Sequence, residues 1–420
     1  MDLSFVRSEF PALARTDARG RPYVYLDGPS GTQVHGSVIA AMADYLTQAN
    51  ANTHGAFITS QRTDETILRA RQAMADLLNA PSPESIIFGA NMTTLTFHIS
   101  RAMARLWQPG DEVVTTLLDH NANVAPWLRL AEQGIVVRQV PFHTEDCTLD
   151  LDALHRAIRR RTRLVAVGYA SNATGTINDV AQITRWAHGV GAWTYVDAVH
   201  YAPHGPIDVQ AIGCDFLVCS AYKFFGPHVG VLWGRRDLLE QLRPDKVRPA
   251  SDEVPHRFET GTQNHEGLAG VIAAVDYLAS VGRRAGGPFT GQFPGLVGRK
   301  RDLKTGLCAI QTYERELAWR LIEGLERLPG LRIWGITDRT RAHDRVPTVA
   351  ITLQGYAPRE LAGRLAEEGI FVTDGHYYAI TVTERLGLEG NGGMVRLGLV
   401  HYNTAEEVDR LLGILRCIIG

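Results

Sequence analysis

The stretch CSAYKFFGPHVG, residues 219–230, places Lys223 just after the apolar run DFLV and just before a turn marked by Gly226 and Pro227. Burying an ammonium is costly, so a lysine at the end of a core strand needs a reason. Other residues able to do chemistry follow other apolar runs in the same way. WTYVD ends at Asp197, with His200 next in DAVH; EVVTT leads into LLDHNAN and His120; RLVAVGY leads into SNATG and Asn172. SIIFG is followed by the small-residue turn ANMTT, where Met92 and Thr93 open a helix whose free amides and dipole could hold a phosphate. Ser220 and Tyr222 flank the lysine itself. An amine, a carboxylate, an imidazole and an anion cradle together are what pyridoxal phosphate chemistry needs. The lysine condenses with the cofactor aldehyde, the carboxylate keeps the pyridine nitrogen protonated, and the flat imidazole holds the ring plane. Burial favours the neutral amine that can condense, which gives Lys223 its reason. Singly, each residue also has a structural reading: Asn172 and Gly175 as a turn, Asp197 as a helix cap, Lys223 as a snorkelling side chain.

These residues are brought together only if the strands share a sheet. From about residue 84 to 235, short apolar strands alternate with amphipathic stretches, the pattern of a mostly parallel sheet flanked by helices. In such sheets ligands sit at the carboxyl ends of the strands, which is where every candidate falls. The expected organisation is an N-terminal segment (1–30) joining the small domain and the active site, and a large α/β domain (31–282). An irregular insertion or connection rich in Gly, Pro and basic residues (283–310) and a smaller α+β domain (311–420) follow.

Composition narrows the setting. The 420 residues are 45% hydrophobic and 21% charged with a net charge of −2, which gives no electrostatic case for nucleic acid or an anionic membrane. The apolar runs are strand-sized, and MDLSFVRSEFPAL lacks a continuous apolar signal core, so a cytoplasmic protein is expected. Five cysteines without a CxxC pair imply neither a disulfide framework nor a metal site, and buried reduced thiols are expected.

The order YLDGPSG, NTHG, LDHNAN, SNATG, DAVH, SAYK, FETGTQN and VRLGLVHYN resembles the fold type I pyridoxal phosphate enzymes of the class V aminotransferase group. Within that group it resembles the cysteine desulfurase and selenocysteine lyase branch, over residues 20–415. The resemblance implies that Lys223 carries the cofactor, Asp197 pairs with the pyridine nitrogen and His120 stacks on the ring. His200 would stand near the phenolic oxygen, at a position usually held by glutamine. Ser220, Met92 and Thr93 would hold the phosphate, with Tyr222 where the branch often has histidine. Thr262 would reach the phosphate of the other subunit of a homodimer with shared sites. Arg396 would bind the substrate α-carboxylate through its guanidinium fork, aided by Asn172, with His54 nearby. Gly55 replaces an arginine frequent in relatives.

The loop TDGHYYAI, residues 373–380, departs from that pattern. Desulfurases carry there the cysteine that takes sulfur as a persulfide, whereas this chain has Tyr377 and Tyr378. A phenol cannot form a persulfide, which needs a thiolate. Cys308 is the one other thiol considered, since Cys214 and Cys219 flank a strand and Cys417 lies in the last helix. Tyr378 is placed beside the substrate, as pocket wall or acid–base group. Lys223, once freed by substrate, can remove the α-proton. From there C–S or other β-elimination on an amino acid is the first reading, by analogy with enzymes acting at Cβ and sulfur. Class V transamination, epimerisation and C–C chemistry are the alternatives, and a non-catalytic cofactor-binding protein is the reading outside enzymes.

Overall fold

The computed structural model describes residues 4–420. Its largest sheet has seven strands, β2 (Ile86–Gly89), β3 (Glu112–Thr116), β4 (Val136–Val140), β5 (Thr162–Gly168), β6 (Trp193–Asp197), β7 (Phe216–Ser220) and β8 (Gly230–Gly234), in the order β2-β8-β7-β6-β5-β3-β4. β8 pairs antiparallel with both neighbours and the other pairings are parallel. Alternate residues go to opposite faces: Val165 and Val167 of β5 join one apolar cluster, Leu164 and Ala166 the other. A strand buried on both faces explains why these runs read as continuous hydrophobics.

A second, antiparallel sheet carries β9 (Leu331–Trp334), β10 (Thr348–Leu353), β12 (Thr373–Gly375) and β13 (Met394–Gly398) in the order β12-β13-β10-β9, over its own apolar cluster. The short strand β1 (Val24–Tyr25) pairs in parallel with β11 (Ile370–Phe371), so the start of the chain is fastened beside this second sheet. From there, residues 27–32 run back to the main sheet, where the Thr32 amide donates to the Tyr222 carbonyl at 3.1 Å.

The stretch 283–310 differs from its expected irregularity. One helix runs to Ala285 and the next is Gly298–Leu325, leaving only the Gly- and Pro-rich 286–297 between them. Leu303, Leu307 and Ile310 recur at helical spacing and are buried, so amphipathic packing overrides the basic, glycine-dotted composition. Cys308 therefore lies in a buried helix and not in an insertion loop. Cys417 departs from the expected burial: it is exposed, while the other four cysteines are buried. No helix among the described residues is long and apolar enough to cross a membrane.

Candidate active site

The main sheet reverses its order outward from β3 and β5, and the carboxyl ends of β3, β5, β6 and β7 open there into a cavity of about 1070 Å3. Met92, Thr93, His120, Asn172, Asp197 and His200 all line it, as do Ser220, Tyr222, Lys223, Tyr377, Tyr378 and Arg396. Twelve residues named from the sequence thus meet at one site.

Lys223 sits in a single turn after β7, buried, its Nζ donating to the Pro29 carbonyl and lying 4.9 Å from the Tyr222 ring centroid. Burial, helped by the positive charge of Arg396, lowers its amine to about 7, while Asp197 acts the other way. Asp197, the last residue of β6, accepts from the Val199 amide through Oδ1 at 2.9 Å. Burial raises its carboxyl to about 6 against the pull of Lys223. His120 accepts from the Ala122 amide through Nδ1 at 3.0 Å, which orients the ring, and burial followed by Lys223 and Arg396 lowers it to about 4. It is therefore a neutral imidazole at neutral pH.

The helix Met92–Ala104 points its N-terminus into the same cavity. Of its first-turn amides, that of Met92 donates to Ser220 Oγ at 3.3 Å and that of Thr94 to Asn91 Oδ1 at 2.9 Å. Thr93 keeps the spare donor, since first-turn amides have no partner within a helix. Gly230 makes this approach possible: a Cβ there would lie 2.4 Å from the Asn91 carbonyl carbon.

The opposite wall comes from the second sheet. Arg396 of β13 is buried; Nη1 donates to the Asn172 carbonyl at 2.6 Å, Nη2 to Ser30 Oγ at 2.7 Å, and Nε to Thr373 Oγ1 at 3.3 Å. Burial lowers it to about 10, so it remains a cation. Tyr377 and Tyr378 have φ of 53° and 60°, a left-handed pair that is costly for bulky residues. That backbone sends the Tyr377 ring beneath the Arg396 guanidinium and its hydroxyl to the Met394 carbonyl, and sends Tyr378 outward, 69% exposed, stacked on His120 with centroids 5.6 Å apart.

Two of the sequence candidates lie elsewhere in this chain. His54 has an 83% exposed side chain beside Asp64, and Thr262 is exposed in its loop; neither lines the cavity. None of the five cysteines lines it either. Conversely, Asp119 was not singled out from the sequence although it also follows β3 directly. Its Oδ1 accepts from the Gly168 amide at 2.9 Å and its Oδ2 from Asn123 at 3.0 Å, which ties the His120 turn to the end of β5. Burial raises it to about 7. A carboxylate next to His120 at a strand end was its available signal. Ser30, the hydroxyl on Arg396, had none beyond its place in YLDGPSG.

These residues fit pyridoxal phosphate. The Oδ1 of Asn172 is buried with no hydrogen-bond partner and borders the cavity, so an incoming group is needed to satisfy it. A buried lysine poised near neutrality, a carboxylate at the neighbouring strand end and a free amide at a helix N-terminus complete the donor set the cofactor requires. Fold and site together define a fold type I pyridoxal phosphate enzyme. The class-V aminotransferase family model matches residues 24–288 and 283–411, and the chain belongs to that family. It is 32% identical to a cysteine desulfurase of Pectobacterium atrosepticum over 98% of this chain and 97% of that protein, and 33% identical to one of Serratia proteamaculans over the same shares. Among solved structures, the apo cysteine desulfurase of Thermococcus onnurineus covers 100% of this chain and 98% of its own, at 26% identity and a TM-score of 0.87. A cysteine desulfurase of Escherichia coli gives a TM-score of 0.81 at 27% identity, over 99% and 98% of the two chains.

Proposed function

We propose that this protein is a pyridoxal phosphate-dependent β-lyase that acts on a cysteine-like amino acid without a protein persulfide. The carrying observation is that the loop reaching the mouth from the second sheet presents Tyr377 and Tyr378, while no cysteine borders the cavity. Sulfur transfer to the protein needs a thiolate at the substrate, so release of the leaving group into solution is the outcome this wall supports.

When bound, pyridoxal phosphate supplies an aldehyde for an amine and an electron sink for charge left at Cα. Thr93 and Ser220 would hold the phosphate, with Met92 shaping the turn and Tyr222 able to donate from the lysine side. Asp197 would hold a proton on the pyridine nitrogen, and His120 would lie against the ring. Arg396 and Asn172 orient the α-carboxylate, so that the Cα proton faces Lys223. Lys223, easily deprotonated where it is, takes that proton. Tyr378, stacked on His120 at the mouth, would wall that side of the substrate. The net reaction converts the amino acid and one water to a 2-keto acid, ammonia and the protonated leaving group.

From the family resemblance we further infer a cytoplasmic homodimer with shared sites, in which Thr262, exposed in this chain, would reach the cofactor phosphate of the other subunit. The test is product identification by mass spectrometry after incubating cofactor-loaded protein with L-cysteine and related β-substituted amino acids, with no keto acid added. Pyruvate and the free leaving group are expected. Unchanged substrate with the cofactor in place would move the assignment to transamination or epimerisation.

A further inference from the structure

Arg396 is a buried cation whose hydrogen bonds, among the described residues, end on a carbonyl and two hydroxyls and not on a carboxylate. A guanidinium held this deep is costly, and proteins commonly offset such a charge with an acid. One is close by. Asp27 bridges to Gly398, two residues along β13 from Arg396, and positions two apart on a strand share a face. The Oδ1 of Asp27 is buried with no hydrogen-bond partner. Burial pushes this carboxyl up to about 6, against its own amide and the pull of Arg396. The two nevertheless stay apart.

What lies against the guanidinium instead is the ring of Tyr377, with its centroid 4.2 Å away. That residue is fixed at both ends. Its hydroxyl donates to the carbonyl of Met394, on the same strand as Arg396, and its own carbonyl accepts from Asn172 Nδ2 at 2.8 Å. Its φ of 53° is one that a bulky residue keeps only when its surroundings impose it, and such outliers gather where geometry serves function. A π face attracts a cation without accepting its in-plane N–H bonds. A carboxylate would take two of them at once. The ring therefore offsets part of the burial cost and leaves the remaining donors free. The other titratable groups that face Arg396 offer no rival anion. Lys223 is a like charge, His120 and His200 are pushed down first by burial, and Tyr222 is a phenol pushed up by it. Asp374, opposite Val395 on the neighbouring strand, is engaged by Arg359 at 3.1 Å.

We propose that Tyr377 is a positioning residue that holds the Arg396 guanidinium in its plane and keeps it from pairing with Asp27, so that the fork stays open for the carboxylate of an incoming amino acid. The inference rests on the reading of the cavity as a pyridoxal phosphate site that takes an amino acid. It makes the tyrosine loop a determinant of substrate affinity.

L-Alanine has no leaving group at Cβ, so its binding to the cofactor-loaded protein, followed by near-visible absorbance, reads affinity apart from elimination. Tyr377→Leu should raise its dissociation constant roughly tenfold, the scale of a desolvated cation–π contact. Asp27→Asn should be nearly silent on its own and should restore most of the affinity lost in Y377L, because it removes the competing acid. Native-like affinity in Y377L, or a loss that D27N leaves in place, overturns the proposal; a defect of packing alone would lower the melting temperature without rescue by D27N. A second measurement decides even if Y377L does not fold. In cofactor-free protein carrying 15N-labelled arginine, the Nε proton of Arg396, assigned by its absence in R396K, should lie upfield as a ring-stacked proton does and should stay there in D27N. A proton without that ring shift, or one moved by D27N as a broken ion pair would move it, also overturns it. Failure of the native protein to take up pyridoxal phosphate, or to respond to L-alanine once loaded, would instead overturn the reading of the cavity, while the stacking of Arg396 is read without cofactor.

Discussion

The guanidinium of Arg396 lies 4.2 Å over the ring of Tyr377 and is held on its edges by Ser30, Thr373 and the Asn172 carbonyl. Three of its five N–H donors are thus spent on fixing its plane, and two remain for a ligand. In its proposed role as carboxylate binder, a fork fixed in this way would need little further ordering, which lowers the cost of binding.

Arg396→Lys is accordingly expected to behave much like Arg396→Ala. An ammonium is a point charge that cannot hold both Ser30 and the Asn172 carbonyl while pairing with a carboxylate. Losing a hydrogen bond to a charged group costs about 1.5–3 kcal/mol, so the apparent substrate constant should rise roughly ten- to a hundredfold. Steady-state kinetics on both variants checks this; an unchanged constant in either would place the carboxylate elsewhere.

Lys223 gives a prediction about stability with a defined sign. Its amine is lowered to about 7 in the folded protein, against about 10.4 for a free lysine. Between these values the unfolded chain binds a proton that the folded chain does not, so stability rises with pH through that window. Below about 7 both states are protonated and the full cost of burying the ammonium is present. Lys223→Met should therefore raise the melting temperature of cofactor-free protein most below neutrality, with the gain fading towards alkaline pH. The same variant should show no turnover and no borohydride-fixed cofactor. A stability gain independent of pH would contradict the depressed lysine.

The thiols give a third prediction. Four cysteines are buried; burial raises Cys147 to about 12 and raises Cys214, Cys219 and Cys308 as well. Thiolate is the reactive species, so iodoacetamide on the native protein should give one adduct, at the exposed Cys417, and leave turnover intact. Peptide mass mapping with an activity assay checks it. Inactivation on modification of Cys308 would return a thiol to the mechanism.

Much of the site was legible because its residues follow strands whose apolar runs announce themselves. Lys223, Asp197, His120 and Asn172 were placed at one rim by the βα alternation alone. The roles of Arg396 and the two tyrosines needed the family resemblance, since a strand of the second sheet carries no local mark of the cavity it faces. Asp119 was hidden by its neighbour: a carboxylate beside a histidine is noticed as part of the turn, and only the paired contacts to Gly168 and Asn123 reveal what it holds. The stretch 283–310 misled because glycine, proline and arginine outweighed the leucine spacing that decides helix packing.

The carbonyl that receives the Lys223 amine belongs to Pro29, in a segment anchored by the pairing of Val24 with Ile370. The apolar cluster on one face of the main sheet takes Val271, Leu278, Leu303 and Leu307 from the two helices after β8, so during synthesis that face is covered only once they are made, and the surroundings of its lysine are completed later still. The acceptor strand for the N-terminal segment, the tyrosine loop and Arg396 all come from the final sixth of the chain. The amine thus acquires the last of its neighbours near the end of translation, and a nascent chain stalled before β11 would hold the Pro29 segment through Thr32 and Tyr222 alone, without the Val24–Ile370 pairing.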